Sequence, residues 1–255
     1  MSQLDSIETS TNPYAKQFLV FFMSLAILIL LSLYLQAFES ILIPLTYILP
    51  LSLAYGIVLG IMIYRKAIDP LPITPFVLGF LFMAGGAALD GIATLVNSPT
   101  LDREGNPISR VLLDSGHSVS FVIAYGILAQ VLWVILICIL WAAFLKHKNA
   151  YLALVKEKNA RSGWDFIKAA LGGAHLSWRQ FLLPLKIKEF PTSYYWFWMF
   201  PVLFVGISLH RWYLGFVWMG MINFSSFGVA LISSVLAFVA YLVWLLQVYS
   251  KEIGA

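Results

Sequence analysis

Apolar runs of about 20 residues, parted by short polar or proline-rich breaks, set the layout of this chain. A helix needs about that length to cross the hydrocarbon core of a bilayer, roughly 30 Å at about 1.5 Å per residue. The first run, residues 17–37, is dense in Leu, Ile and Phe and carries no charge. The second, residues 41–64, contains Pro44 and Pro50 and stops at Arg65-Lys66. Proline is tolerated in membrane helices and predicts a kink. The segment DPLPITP then interrupts any helix before the third run, residues 76–96. The fourth, residues 112–145, is longer than one crossing needs, which puts its first turn at the interface. The fifth, residues 194–209, opens on the aromatic stretch YYWFWMF and ends at His210-Arg211. Tyr and Trp concentrate at membrane interfaces, so that opening marks an entry point. Residues 212–222 are apolar but short; they suit a re-entrant or interfacial segment, or the end of one long tilted helix. The sixth run, residues 225–249, closes on Lys251-Glu252. The pattern predicts an all-α fold, a polytopic transmembrane helix bundle of six spans.

The third run differs from the others in its small residues. Gly79, Met83, Gly86, Asp90 and Thr94 recur at steps of 4, 3, 4 and 4, so they share one helical face. Apart from Met83 that face is small or polar, and small residues let helix backbones approach closely in lipid. Asp90 is therefore expected to point into the bundle.

Composition agrees with the pattern. The chain is 61% hydrophobic and 11% charged, with mean hydropathy +0.87, whereas soluble domains carry about 25% charged residues. The net charge of +4 reports topology here rather than affinity for nucleic acid. Placing Lys16, Arg65, Lys66, the bases of residues 146–188 and Lys251 on one side collects 13 of the 16 bases there. The positive-inside rule makes that side cytoplasmic, with both termini inside. The expected divisions are a cytoplasmic tail (1–16), a four-span half (17–145) with a polar outer loop (97–117), a basic cytoplasmic loop (146–192), a two-span half (193–250) and a tail (251–255). The first residues are polar and include Asp5 and Glu8, unlike the basic start of a cleaved signal, so residues 17–37 read as a retained span. The expected location is a prokaryotic cell (inner) membrane.

Within residues 146–188 nine bases are interleaved with Trp, Phe and Leu. Such a stretch suits an interfacial amphipathic helix touching anionic lipid; an ordinary basic topological loop is the favoured reading. The bilayer is the expected partner, and nothing in the chain specifies a protein partner. The lone Cys138, inside an apolar run, forms no intrachain disulfide or cysteine metal cluster.

Residues that can do chemistry gather between Gly79 and Ser118. An ionisable residue inside a span is costly, and functional by default. Asp90 as ligand, proton carrier or catalytic carboxylate is the reading placed slightly ahead; the alternative is a structural partner of Arg110, of a hydroxyl such as that of Thr94, or of a helix N-terminus. Glu104, Asn106 and Arg110 lie in the following loop. Asp114 and His117, three apart on an expected common helix, can face one point. With Asp90 and Glu104 they are candidate ligands for a divalent metal, though with one histidine a plain Asp–His pair is favoured. Asp114 also suits the N-terminus of the fourth helix. Arg211 could offset one of these acids; an interfacial loop around His210, Arg211, Asn223, Ser225 and Ser226 is the favoured reading. No G-x-S-x-G, dinucleotide or P-loop fingerprint occurs.

The stretches LDGIATL, LDREGNPISR and LDSGHS resemble the D-x-x-x-T … E-x-N-P pattern of a small bacterial and archaeal family of membrane domains of unknown function. Asp90 and Thr94 match its first half; Glu104, Asn106 and Pro107 match its second. The resemblance covers residues 90–114 and implies a shared site, not a reaction.

Three functions follow from this reading. The first is binding or translocation of a small polar or ionic solute at an outward-facing polar site. The second is a membrane-embedded hydrolase or lipid-modifying enzyme, with or without a metal. The third is an accessory or assembly subunit of a membrane complex. Solute binding is preferred by a small margin, and whether the chain is an enzyme stays open.

Overall fold

A computed structural model describes residues 42–67, 69–102, 106–156, 162–171, 199–221 and 226–252. Among these, all regular structure is helical: α1 (Leu42–Lys66), α2 (Ile73–Asn97), α3 (Pro107–Asp114), α4 (Val119–Lys156), α5 (Gly163–Ala170), α6 (Met199–Trp218) and α7 (Ser226–Glu252). Five of them are long and apolar enough to cross a membrane: α1, α2, α4, α6 and α7. The protein is a multi-pass transmembrane helix bundle. The expected span at residues 17–37 lies outside the described residues.

Neighbouring side chains fix the relative directions of the helices. Tyr125 reaches Thr46, and His147 reaches Ile63, so α1 and α4 run the same way. Trp141 reaches Pro75 while Gln130 reaches Ala87, so α4 runs against α2. Along α2 and α6 the contacts advance together, from Gly79 with Phe204, through Met83 with Ser208, to Gly86 with Trp212. α6 and α2 are therefore parallel, and α7 closes on α6 where Gly206 meets Ser234 and Ala237.

The bundle is thinly buried on its outer faces. Leu51, Leu78, Ile92 and Val96 are all largely exposed. Apolar surface of this extent on long apolar helices is lipid-facing surface.

The largest buried cluster lies at the end of the bundle that carries the bases. Phe144, Tyr151 and Val155 of α4 pack there with Phe166 of α5 and with Tyr241 and Leu245 of α7. Tyr151 donates to Ala170 O at 2.5 Å and its hydroxyl lies 2.9 Å from that of Tyr241, so two buried phenols satisfy each other. Lys146 Nζ sits 4.4 Å over the Tyr64 ring at the same end. α5 begins on a Ser162 cap that accepts from Asp165 N at 3.1 Å, and it exposes Trp164 while burying Phe166 and Ile167.

Pro50 lies inside α1 without ending it. It has no N–H for the Thr46 carbonyl four residues back. Tyr125 of α4 supplies a hydroxyl to that carbonyl at 2.5 Å. At the other end of α1 the Ile63 carbonyl lies 2.9 Å from His147 Nε2, while Ala67 N turns to Tyr64 O.

Two expected boundaries move. The fourth span does not begin at residue 112. Residues Pro107–Asp114 form the separate helix α3, which ends where Gly116 adopts φ +84°. Gly116 N bonds Leu113 O and His117 N bonds Leu112 O, the double closure that a left-handed glycine allows at a helix end. α4 then starts at Val119, with Ser118 Oγ accepting from Phe121 N at 3.3 Å, and it continues past residue 145 to Lys156. The fifth span does not stop at residue 209 either. α6 passes through His210 and Arg211 to Trp218, then ends on Gly220 (φ +72°) with the same pair of bonds, Gly220 N to Val217 O and Met221 N to Phe216 O. Of the three readings of residues 212–222, the end of one long helix holds through Trp218.

Candidate functional site

The face of α2 expected to turn inward does so: Gly79, Met83, Gly86 and Asp90 are buried, together with Ala87 and Ala93. What they meet is α6. A Cβ on Gly86 would stand 2.8 Å from Trp212 Cδ1, and one on Gly85 2.9 Å from Trp212 Cζ2. Reciprocally, a Cβ on Gly215 would lie 2.6 Å from Leu89 Cγ and 3.2 Å from Asp90 N. Glycines on both helices thus bring the backbones together around Asp90.

Close approach opens the carbonyls of α2 to side chains from its neighbours. Trp212 Nε1 donates to Phe82 O at 2.8 Å, Gln130 Nε2 to Ala87 O at 2.5 Å and Trp141 Nε1 to Pro75 O at 3.2 Å. Ser208 Oγ bonds Phe204 O of its own helix at 2.7 Å and lies 3.1 Å from Met83 Sδ.

Asp90 is the only charged residue of α2, and Arg211 is the only one of α6. The two meet: Arg211 Nη1 donates to Asp90 Oδ2 at 2.6 Å, with side-chain exposures of 27% and 9% respectively. Each residue precedes the end of its helix by seven positions, about 10 Å along the axis. Either charge alone at that depth would be expensive; together they offset each other. His210 adjoins the pair, its ring 6.5 Å from that of Tyr213. Its Nδ1 is buried and has no hydrogen-bond partner among the described residues.

The other expected site residues are distributed differently. Thr94 is half-buried one turn beyond Asp90. Asn106 caps α3, its side chain accepting from Ile108 N at 3.0 Å, and Pro107 fills the first helical position. Arg110 donates to the Asp102 carbonyl rather than to Asp90. Asp114 is exposed as the last residue of α3, so it does not begin the helix that follows, and His117 follows in the link to α4. The His117 ring stacks on Phe121 at 4.6 Å. α3 is seated on α4 through Leu101, Leu112 and Val122. Glu104 lies outside the described residues, and among those described no three His, Cys, Asp or Glu side chains are grouped to hold a metal ion.

The hydropathy pattern alone predicts an interfacial loop at Arg211, whereas the residue lies within α6, and it carries no signal for Gln130 or Trp212. A signal for the pair was present: one acid in one apolar run and one base in another. No family model matches the chain, and no curated protein or solved structure does so either.

Proposed function

We propose that the protein binds or moves a small polar or ionic solute, and that the Asp90–Arg211 pair, reached from the outward side of the membrane, is where the solute engages. The observation that carries this reading is the ion pair itself: a single buried acid and a single partly exposed base, set on two close-packed apolar helices and joined by one bond. Purely structural contacts between α2 and α6 are already abundant, in Trp212, Ser208 and the glycine faces. A buried charge pair is a costly way to add stability to such an interface, which points to another use for the charges. The placement of the bases supports an outward site, because Arg65, Lys66, Lys146 and Lys148 lie at the opposite end of the bundle.

A second reading has its own support. Arg211 and Asp90 satisfy each other directly, as a clamp between helices of an accessory subunit would. A charge swap separates the two readings. Solutes carried through purification by wild type, Asp90→Asn, Arg211→Gln and the double swap Asp90→Arg/Arg211→Asp are compared by mass spectrometry. Solute binding predicts a species whose bound amount differs from wild type in all three variants, including a swap that stays folded by circular dichroism. Identical solute profiles in folded variants would leave only the clamp.

A further inference from the structure

We infer that the solute is a small oxyanion, a carboxylate or phosphate, that binds Arg211 by taking the place of Asp90; this rests on the solute-binding reading above. The two members of the pair are not equivalent. The Asp90 side chain is the buried one, 9% exposed, on a stretch of α2 whose backbone nitrogen would stand 3.2 Å from a Cβ on Gly215, whereas the Arg211 side chain keeps 27% of its surface exposed. The more exposed end of the pair is therefore a cation. A guanidinium carries five N–H donors in a planar fork that matches a carboxylate or phosphate edge. Among the described residues Arg211 gives one of these donors to an acceptor, Asp90 Oδ2. The bond is single where a fork facing a carboxylate can make two. Arg211 is long and flexible enough to turn from one oxyanion to another, while Asp90 sits on a packed helix.

Asp90 is then a built-in competitor. It keeps Arg211 neutralised while the site is empty, and an anion must displace it. This predicts opposite effects from the two members of one ion pair. Removing the Asp90 charge should tighten anion binding, and removing the Arg211 charge should abolish it. A cation site predicts the reverse.

The test uses the full-length chain in non-ionic detergent. Its thermal midpoint is followed against sodium acetate and sodium phosphate, with sodium chloride at matched ionic strength as reference and methylammonium chloride as the cation probe. Expected is a saturable rise with acetate or phosphate in wild type, half-saturation at least tenfold lower in Asp90→Asn, and no rise in Arg211→Gln. Arg211→Lys, which keeps the charge without the fork, should bind at least tenfold more weakly than wild type. The absence of a saturable rise in wild type with both oxyanions overturns the inference, whatever the variants do. So does oxyanion binding that survives unchanged in Arg211→Gln. If methylammonium alone binds, in a manner lost in Asp90→Asn, the oxyanion is wrong and the solute-binding reading stands; if no probe binds, the oxyanion falls, and the solute-binding reading falls with it only when the purified variants also carry identical solute profiles.

Discussion

The bond from Tyr125 to the Thr46 carbonyl invites a sharp test, because its purpose can be removed without touching it. Pro50 deprives Thr46 of its helical donor, and Tyr125 supplies one from α4 at 2.5 Å. Thr46 is fully buried, and water does not reach a carbonyl in that setting. Interhelical hydrogen bonds in membranes average about 0.6 kcal/mol and reach about 1.7. A bond to a backbone carbonyl lacking its helical donor belongs near the upper end, so Tyr125→Phe should cost about 1.5 kcal/mol. In a Pro50→Ala background the new Ala N–H takes over the carbonyl, and Tyr125→Phe should then cost less than about 0.5 kcal/mol, giving a coupling of about 1 kcal/mol. Reversible unfolding in mixed micelles, run on wild type, both single variants and the double, measures that coupling. If Tyr125→Phe costs the same in both backgrounds, the proline is not the reason for the bond and the argument fails.

Four further outcomes are expected. Arg211→Gln, which strands the buried Asp90 charge, should destabilise by about 3 kcal/mol, Asp90→Asn, which strands the more exposed Arg211, by less, and the double neutral variant by clearly less than the sum; additive losses in the same unfolding assay would contradict this. Gly86→Ala should cost about 1–3 kcal/mol, since its Cβ would meet the rigid Trp212 indole at 2.8 Å. Gly126→Ala, with nothing within 4 Å, should change stability by less than about 0.5 kcal/mol, so equal losses at the two sites would refute the packing argument. With Cys138 buried, a membrane-impermeant maleimide should label Ser115→Cys from outside intact cells and Lys251→Cys only after permeabilisation; the converse pattern would reverse the orientation.

What the sequence made legible is what short-range pattern encodes. The spacing of Gly79, Met83, Gly86 and Asp90 set the buried face of α2, because side chains three and four apart must share a face. The long apolar runs were legible because lipid demands them. The two misplaced boundaries have physical causes. His210-Arg211 lowers local hydropathy and reads as an exit from the membrane, yet the helix continues because Asp90, 121 positions away, neutralises Arg211. No window along the chain contains both partners. The start of the fourth span was misplaced because LDSGHS has helical periodicity, while the stop depends on a single glycine adopting positive φ at position 116. Asp114 and His117 are three apart in sequence, but that turn divides them between a helix end and a link. The donors from Gln130, Trp141 and Trp212 to carbonyls of α2 were invisible for a similar reason: a carbonyl open to a side chain is a property of a packed helix pair.

α4 spans 38 residues, about 57 Å, nearly twice the hydrocarbon thickness. One continuous rod therefore touches α1 through Tyr125, α2 through Gln130 and Trp141, and the buried tyrosine pair beyond them through Tyr151. A stiff rod cannot tilt at one end alone. Gln130 holds the helix that carries Asp90, and Tyr151, 21 positions further along the same helix, meets α5 and α7. The helix that holds α2 beside the ion pair is in this way the same one that holds the tyrosine pair at the basic end.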